Sequence, residues 1–163
     1  MPVTDVSHDL DALTMTVVAE FAAPPERIWR LWSDPRQTER WWGPPEWPAT
    51  FIRHDFREGG GAFYEMTGPD GEKSRGWWEI LSLDPPSRLV FRDGWANEDG
   101  SPSDFAPPTE ATVTFEAIPS GTRMTNHTAF SSREALEAIL GMGVEEGART
   151  SLGQIDAILA AEA

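Results

Sequence analysis

The chain has 163 residues, no cysteine, and 27 acidic against 13 basic side chains, a formal net charge of −14. That length carries a single domain (1–163) whose core needs no staple, and the missing thiols exclude disulfides and thiolate chemistry. The charge argues against nucleic acid, which needs a basic face to neutralise phosphate, and against anionic lipid. No stretch approaches the roughly 18 apolar residues of a membrane span. Residues 1–11 are polar and acidic, with no apolar run of a signal peptide, so they are expected to form a frayed tail on a cytoplasmic protein. Eight tryptophans stand against one tyrosine. A buried indole needs a partner for its N–H, so several are expected at a cavity or a rim as well as in the core.

Residues 14–21 alternate, with Met15, Val17, Ala19 and Phe21 on one side and Thr14, Thr16 and Glu20 on the other, the pattern of a half-buried strand. Ala22-Ala23-Pro24-Pro25-Glu26 opens a helix with proline in the first turn, and Ile28, Leu31 and Trp32 share its inner face. Asp34-Pro35 stops it and is placed to cap a second short helix through Arg40. In the stretch Trp41-Trp42-Gly43-Pro44-Pro45-Glu46-Trp47-Pro48, three prolines and a glycine break both helix and strand ladders. Strands follow over 49–57 and 62–67, joined by a bend at Gly59-Gly60-Gly61. Gly68-Pro69-Asp70-Gly71 is a hairpin turn, because proline presets φ and glycine accepts positive φ. Further strands are predicted over 76–83 and 88–93, across Asp84-Pro85-Pro86-Ser87. Residues 94–108 form the one long irregular stretch, of a length that is usually functional or disordered. Residues 112–118 and 122–130 close as a hairpin over Pro119-Ser120-Gly121.

The last stretch, 131–163, is an amphipathic helix. Ser131-Ser132-Arg133-Glu134 supplies a serine cap. Leu136, Ile139 and Leu140 mark one face, and Val144, Ala148, Leu152, Ile155 and Leu159 continue it after an interruption at Gly141-Met142-Gly143. A helix arriving after seven strands must lay its apolar face across their sheet, which makes the chain α+β. Gly141, Gly143 and Gly147 each cost about 1 kcal/mol in a helix interior. They mark either a plain break between two helices or a surface cleared for a ligand.

Five motifs in order carry a resemblance: Trp41-Trp42-Gly43-Pro44, Asp55-Phe56-Arg57-Glu58-Gly59-Gly60, Gly68-Pro69-Asp70-Gly71, Asp84-Pro85-Pro86 with Arg88-Leu89, and Gly121-Thr122-Arg123-Met124. Together they resemble the bacterial single-domain branch of the Hsp90-ATPase-activator-like family, within the START-like, or Bet v 1-like, superfamily. The resemblance spans about residues 13–159. It implies a helix-grip fold, a curved antiparallel sheet of six or seven strands wrapped around a long C-terminal helix, with a cavity between them and two short helices after the first strand. Superfamily members include lipid carriers, hormone receptors, cyclases, oxygenase subunits and cochaperone domains, so fold alone does not give function. Three histidines, His8, His54 and His127, with His8 in the expected tail, do not suit an iron facial triad. No cofactor or metal is expected. The additional N-terminal domain of the eukaryotic activator has no counterpart here, which weakens the implication of Hsp90 contact. Where relatives often carry a Gly-Trp pair, this chain reads Gly147-Ala148, a departure that implies a larger cavity.

The candidate ligand-binding residues are Tyr64, Trp78, Phe91 and Trp95 on the strands, His127, and Leu140, Gly143, Val144 and Ala148 on the helix. An apolar cavity with a few polar groups is what a small-molecule site requires. His127 is expected to face the cavity, where it would bond a ligand or act as a base. Its other reading is a hydrogen-bonded structural histidine. His54 and Asp55 are strand neighbours on opposite faces and do not form a dyad. Glu65 and Glu79 face either the cavity, with raised pKa, or solvent. These features point to a binding protein for a hydrophobic or aromatic molecule, with no catalytic residue assigned. An enzyme of cyclase, dehydratase or hydrolase type using His127, and a protein-partner module, are the alternatives. A homodimer would cover a sheet edge.

Overall fold

Alternation of apolar and polar side chains builds one sheet of eight antiparallel strands: β1 (Val3–Asp9), β2 (Thr14–Phe21), β3 (Ala49–His54), β4 (Gly61–Thr67), β5 (Lys73–Asp84), β6 (Arg88–Trp95), β7 (Thr109–Ile118) and β8 (Gly121–Ala129). The computed structural model describes residues 2–162. Across the sheet the order is β1-β2-β8-β7-β6-β5-β4-β3. Met15, Val17, Ala19 and Phe21 are buried and alternate with half-buried neighbours along β2, as a strand with one core face requires.

The eighth strand is a correction. Residues 3–9 are not a frayed tail but pair with β2 over Val3↔Ala19 to Asp9↔Thr14. Most of β1 is exposed, so it lacks the alternation that reveals a strand in sequence. It is held at the sheet edge by its backbone ladder.

Four helices complete the fold: α1 (Pro25–Ser33), α2 (Pro35–Thr38), α3 (Arg133–Gly141) and α4 (Val144–Ala160). Asp34 caps α2 by accepting from the Arg36 N–H at 3.0 Å, and Ser132 caps α3 by accepting from the Ala135 N–H at 3.1 Å. The glycines at 141–143 are a break. Gly143 adopts φ of +78°, in the left-handed region, between the end of α3 and the start of α4, a conformation glycine reaches without the penalty of a Cβ. The inner face of α4 is Leu152, Ile155 and Ile158, all buried, with Leu159 only partly so. A three-residue step therefore ends the ladder where a four-residue step is expected.

Trp32, fully buried on α1, sits at the centre of the core. Rings of Trp41, Trp42, Trp78, Phe91 and Phe115 lie with centroids 4.8–6.5 Å away, within the range of favourable edge and tilted contacts. The Trp41 indole donates to the Leu31 carbonyl at 2.8 Å. The indole N–H groups of Trp32 and Trp78 are buried with no partner among the described residues.

The C-terminal end of α4 is tied down by polar contacts. Buried Arg27 of α1 forms a two-pronged ion pair with Glu162, at 2.7 and 2.6 Å, and also donates to Gln37 at 2.7 Å. Gln154 donates to the Gly43 carbonyl at 2.8 Å, clamping the tryptophan-rich connection onto α4.

Candidate functional site

The sheet, α3 and the first half of α4 do not close on one another. Two hollows of about 600 and 320 Å³ lie there and share Trp42, Asp93, Thr109, Phe130, Ile139 and Val144 in their walls. The larger reaches outward past Tyr64, Met66, Trp95, Phe105 and Met142. The smaller runs inward beneath Phe91, Gly147, Ala148 and Leu152. Phe105 and Met142 are exposed, at 67% and 56%, so apolar side chains rim the opening. Phe105 comes from the long loop after β6, and its ring meets Trp95 edge-on at 5.3 Å.

One polar pair stands in this apolar wall. The Tyr64 hydroxyl on β4 donates to Asp93 of β6 at 3.2 Å, reaching across the intervening strand β5. It does so over Gly76, which pairs with Tyr64 on one side and Trp95 on the other. A Cβ at Gly76 would fall on the Tyr64 hydroxyl. Glycine is therefore required there by close approach, not by backbone conformation.

Burial pushes the Asp93 carboxyl up to about 7, opposed by the Tyr64 hydroxyl and the Gly94 N–H, which favour the charged form. Burial, and then the nearby Asp93 charge, push the Tyr64 phenol well above its ordinary value. A carboxyl that titrates near neutrality in a hollow is the site's principal chemical feature.

The sequence-predicted residues divide sharply. Tyr64, Trp95 and Val144 line the larger hollow, and Phe91, Val144 and Ala148 the smaller. Trp78 is packed inside the ring cluster and does not wall either. Leu140 packs against the core outside both hollows, and Gly143 is the exposed link between helices.

His127 is also a correction. It pairs directly with Thr16 and Thr112. Directly opposed residues share a face, and Thr16 lies opposite in parity to buried Met15 and Val17. His127 is accordingly exposed on the outer face, with its Nδ1 2.9 Å from the Thr16 hydroxyl. The inward neighbours are Asn126 and Thr128, which line the smaller hollow.

Glu65 and Glu79 likewise face outward, paired with Arg75 at 2.8 Å and Arg92 at 3.4 Å. His54 forms no dyad. Its Nε2 donates to the Trp32 carbonyl at 3.1 Å, its ring stacks on Phe56, and burial lowers its pKa. Asp55 instead binds Arg57 at 2.9 Å.

Sequence reasoning missed Asp93 by treating it as the last residue before a loop. The signal was present, since Asp93 stands between Phe91 and Trp95 at strand spacing, sharing their face.

No helix among the described residues is long and apolar enough to cross a membrane. No curated protein matches the chain. Solved structures do. A protein from Mycobacterium smegmatis is 52% identical, with 97% of each chain covered and a TM-score of 0.90. One from Arthrobacter aurescens is 50% identical, covering 97% of this chain and 92% of that one, with a TM-score of 0.92. A Rhodobacter sphaeroides protein at 22% identity keeps the fold, with a TM-score of 0.85 over 96% of this chain and 98% of that one. The family model described as Activator of Hsp90 ATPase homolog 1-like protein matches residues 22–160. With its helix-grip architecture and the ordered motifs from Trp41 to Met124, the chain belongs to the Activator of Hsp90 ATPase homolog 1-like family.

Proposed function

We propose that the protein binds a hydrophobic or aromatic small molecule between the sheet and the α3–α4 pair. The observation that carries this reading is the joined pair of hollows, about 600 and 320 Å³, walled mainly by aromatic and aliphatic side chains. Hollows of a few hundred Å³ with few polar groups suit small organic ligands. The fold is typically a ligand-binding one, and the exposed Phe105 and Met142 at the opening give an apolar entry. The small residues Gly147 and Ala148 keep the helix from filling the space beneath it. An enzymatic role through His127 loses its support, because that imidazole lies on the other face of the sheet.

Titration with the neutral apolar dye Nile red, read by its fluorescence, tests the reading. The parent protein is expected to bind it saturably. A Cβ at Gly147 meets nothing within 4 Å, so Gly147→Leu and Ala148→Trp are expected to fold while weakening binding at least ~tenfold, equivalent to about 1.4 kcal/mol. Unchanged binding in both variants, with an intact thermal transition, would show that the dye sits elsewhere and would sink the proposal.

A further inference from the structure

We infer that the ligand of this hollow carries a cationic amine, which the Asp93 carboxylate takes as its counter-ion while the rings around it face the charge. The inference rests on the cavity reading above and adds the chemical class of the ligand.

The charges on the cavity wall are one-sided. Asp93 stands within it and Glu134 is exposed at its edge. Among the described residues, the one basic side chain touching the hollow is Arg75, and its guanidinium is committed to Glu65, with Nε 2.8 Å from the carboxylate. Strand alternation turns both of those side chains to the outer face, since Gly76 and Tyr64, their neighbours in sequence, meet on the inner one. No basic group is among those acting on Asp93, whose polar contacts are the Tyr64 hydroxyl and the Gly94 N–H.

A carboxyl taken out of water without a cation holds its charge poorly, which is why it titrates near neutrality here. A cation brought in by a ligand would reverse that. It would meet the free lone pairs of Asp93 and the π faces of neighbouring rings. Trp42 and Tyr64 lie with centroids 5.7 Å apart, and Trp95 shares the inner face of β6 with Asp93. Aromatic rings grouped around a carboxylate attract ammonium groups through both the ring quadrupole and the full charge. An anionic ligand would meet two acids and no free base. The overall charge of −14 favours the approach of cations in the same sense.

Three probes with one apolar part separate the possibilities: 4-phenylbutylamine, 4-phenylbutanol and 4-phenylbutyrate, titrated calorimetrically at pH 8. The amine is expected to bind at least ~tenfold more tightly than the alcohol, the size of an enclosed ion pair with cation–π support, and the butyrate most weakly. Asp93→Asn keeps the shape and the acceptor for Tyr64. It is expected to erase the preference, bringing the amine down to the affinity that the alcohol shows for the same variant. Glu134→Gln, at the edge, is expected to change amine binding less than ~threefold.

If the alcohol or the butyrate binds the parent as tightly as the amine, the amine assignment is wrong while the cavity reading stands, because an apolar molecule still binds. An amine preference that survives in Asp93→Asn also overturns it, since the charge would then be recognised elsewhere. Failure of all three probes and of Nile red overturns the cavity reading itself.

Discussion

The two halves of α4 lie over the same sheet and meet it differently. Past Leu152 the helix is packed solid: Ile155 and Ile158 are buried, Gln154 grips the Gly43 carbonyl, and the helix end is pinned through Glu162 to Arg27. From Val144 to Ala148 the helix presents Val144, Gly147 and Ala148, and a hollow opens beneath it. Side-chain volume at a few helix positions, not a change of backbone, decides whether the layer between helix and sheet is core or cavity. The polar groups follow the same division. Tyr64 and Asp93 sit at the hollow, whereas His54 on the packed side is shielded behind Phe56 and bound to a main-chain carbonyl.

The largest expected effect breaks the packed half. Ile155→Ala removes a fully buried side chain from a site with no room to relax, and should cost about 2–5 kcal/mol in urea denaturation. Ala148→Gly, over the hollow, should cost only about 1 kcal/mol, the helix-propensity difference, because little packing is lost. Equal losses at the two positions would erase the distinction.

Gly76→Ala tests how the polar pair is held. The added methyl must displace the Tyr64 ring, an overpacking expected to cost about 1–3 kcal/mol. With the phenol moved, Asp93 loses a group that favours its charged form. Its carboxyl should titrate still higher than about 7, as followed by the NMR shift of the carboxyl carbon.

The last test is read as a pH dependence. Asp93 titrates at about 7 in the fold but at about 3.9 unfolded, so between those values the native state holds a proton that the unfolded chain has released. The stability this contributes is complete below about pH 4 and is lost as pH rises to about 7. Asp93→Asn should remove that downward slope and leave the variant more stable than the parent at pH 8. His54 acts in the opposite sense: its lowered pKa removes stability as pH falls below about 6.5. The difference between variant and parent cancels His54 and isolates Asp93. A difference that does not change with pH would show that Asp93 titrates normally.

Much of the fold was legible because strong local rules coincide. The alternation of β2, the proline start of α1, the Gly68-Pro69-Asp70-Gly71 turn and the serine cap of α3 all appear where the pattern places them. The site was less legible. β8 carries Met124 on the inner face where the core is solid, but Asn126 and Thr128 on that same face where it lines the hollow. Polar residues on both parities erase the alternation, and His127 was assigned to the wrong side. The same property hid Asp93, an acid among core-facing rings that reads in sequence as the frayed end of a strand before a loop. β1 escaped because an exposed edge strand is held by main-chain hydrogen bonds, which any side chains permit.

The sequence by itself determined the α+β class, the position of most strands, the identity of the closing helix and the break marked by its glycines. Each follows from interactions between residues a few positions apart, where period, capping and turn chemistry act. Only the tertiary structure decided which parity of β8 faces inward, that Trp78 belongs to the solid core, and that Tyr64 reaches Asp93 across Gly76. Those facts depend on three strands in register and on where the volume of α4 runs out. A contact between residues 29 positions apart, over a third strand, leaves no periodic trace in the chain.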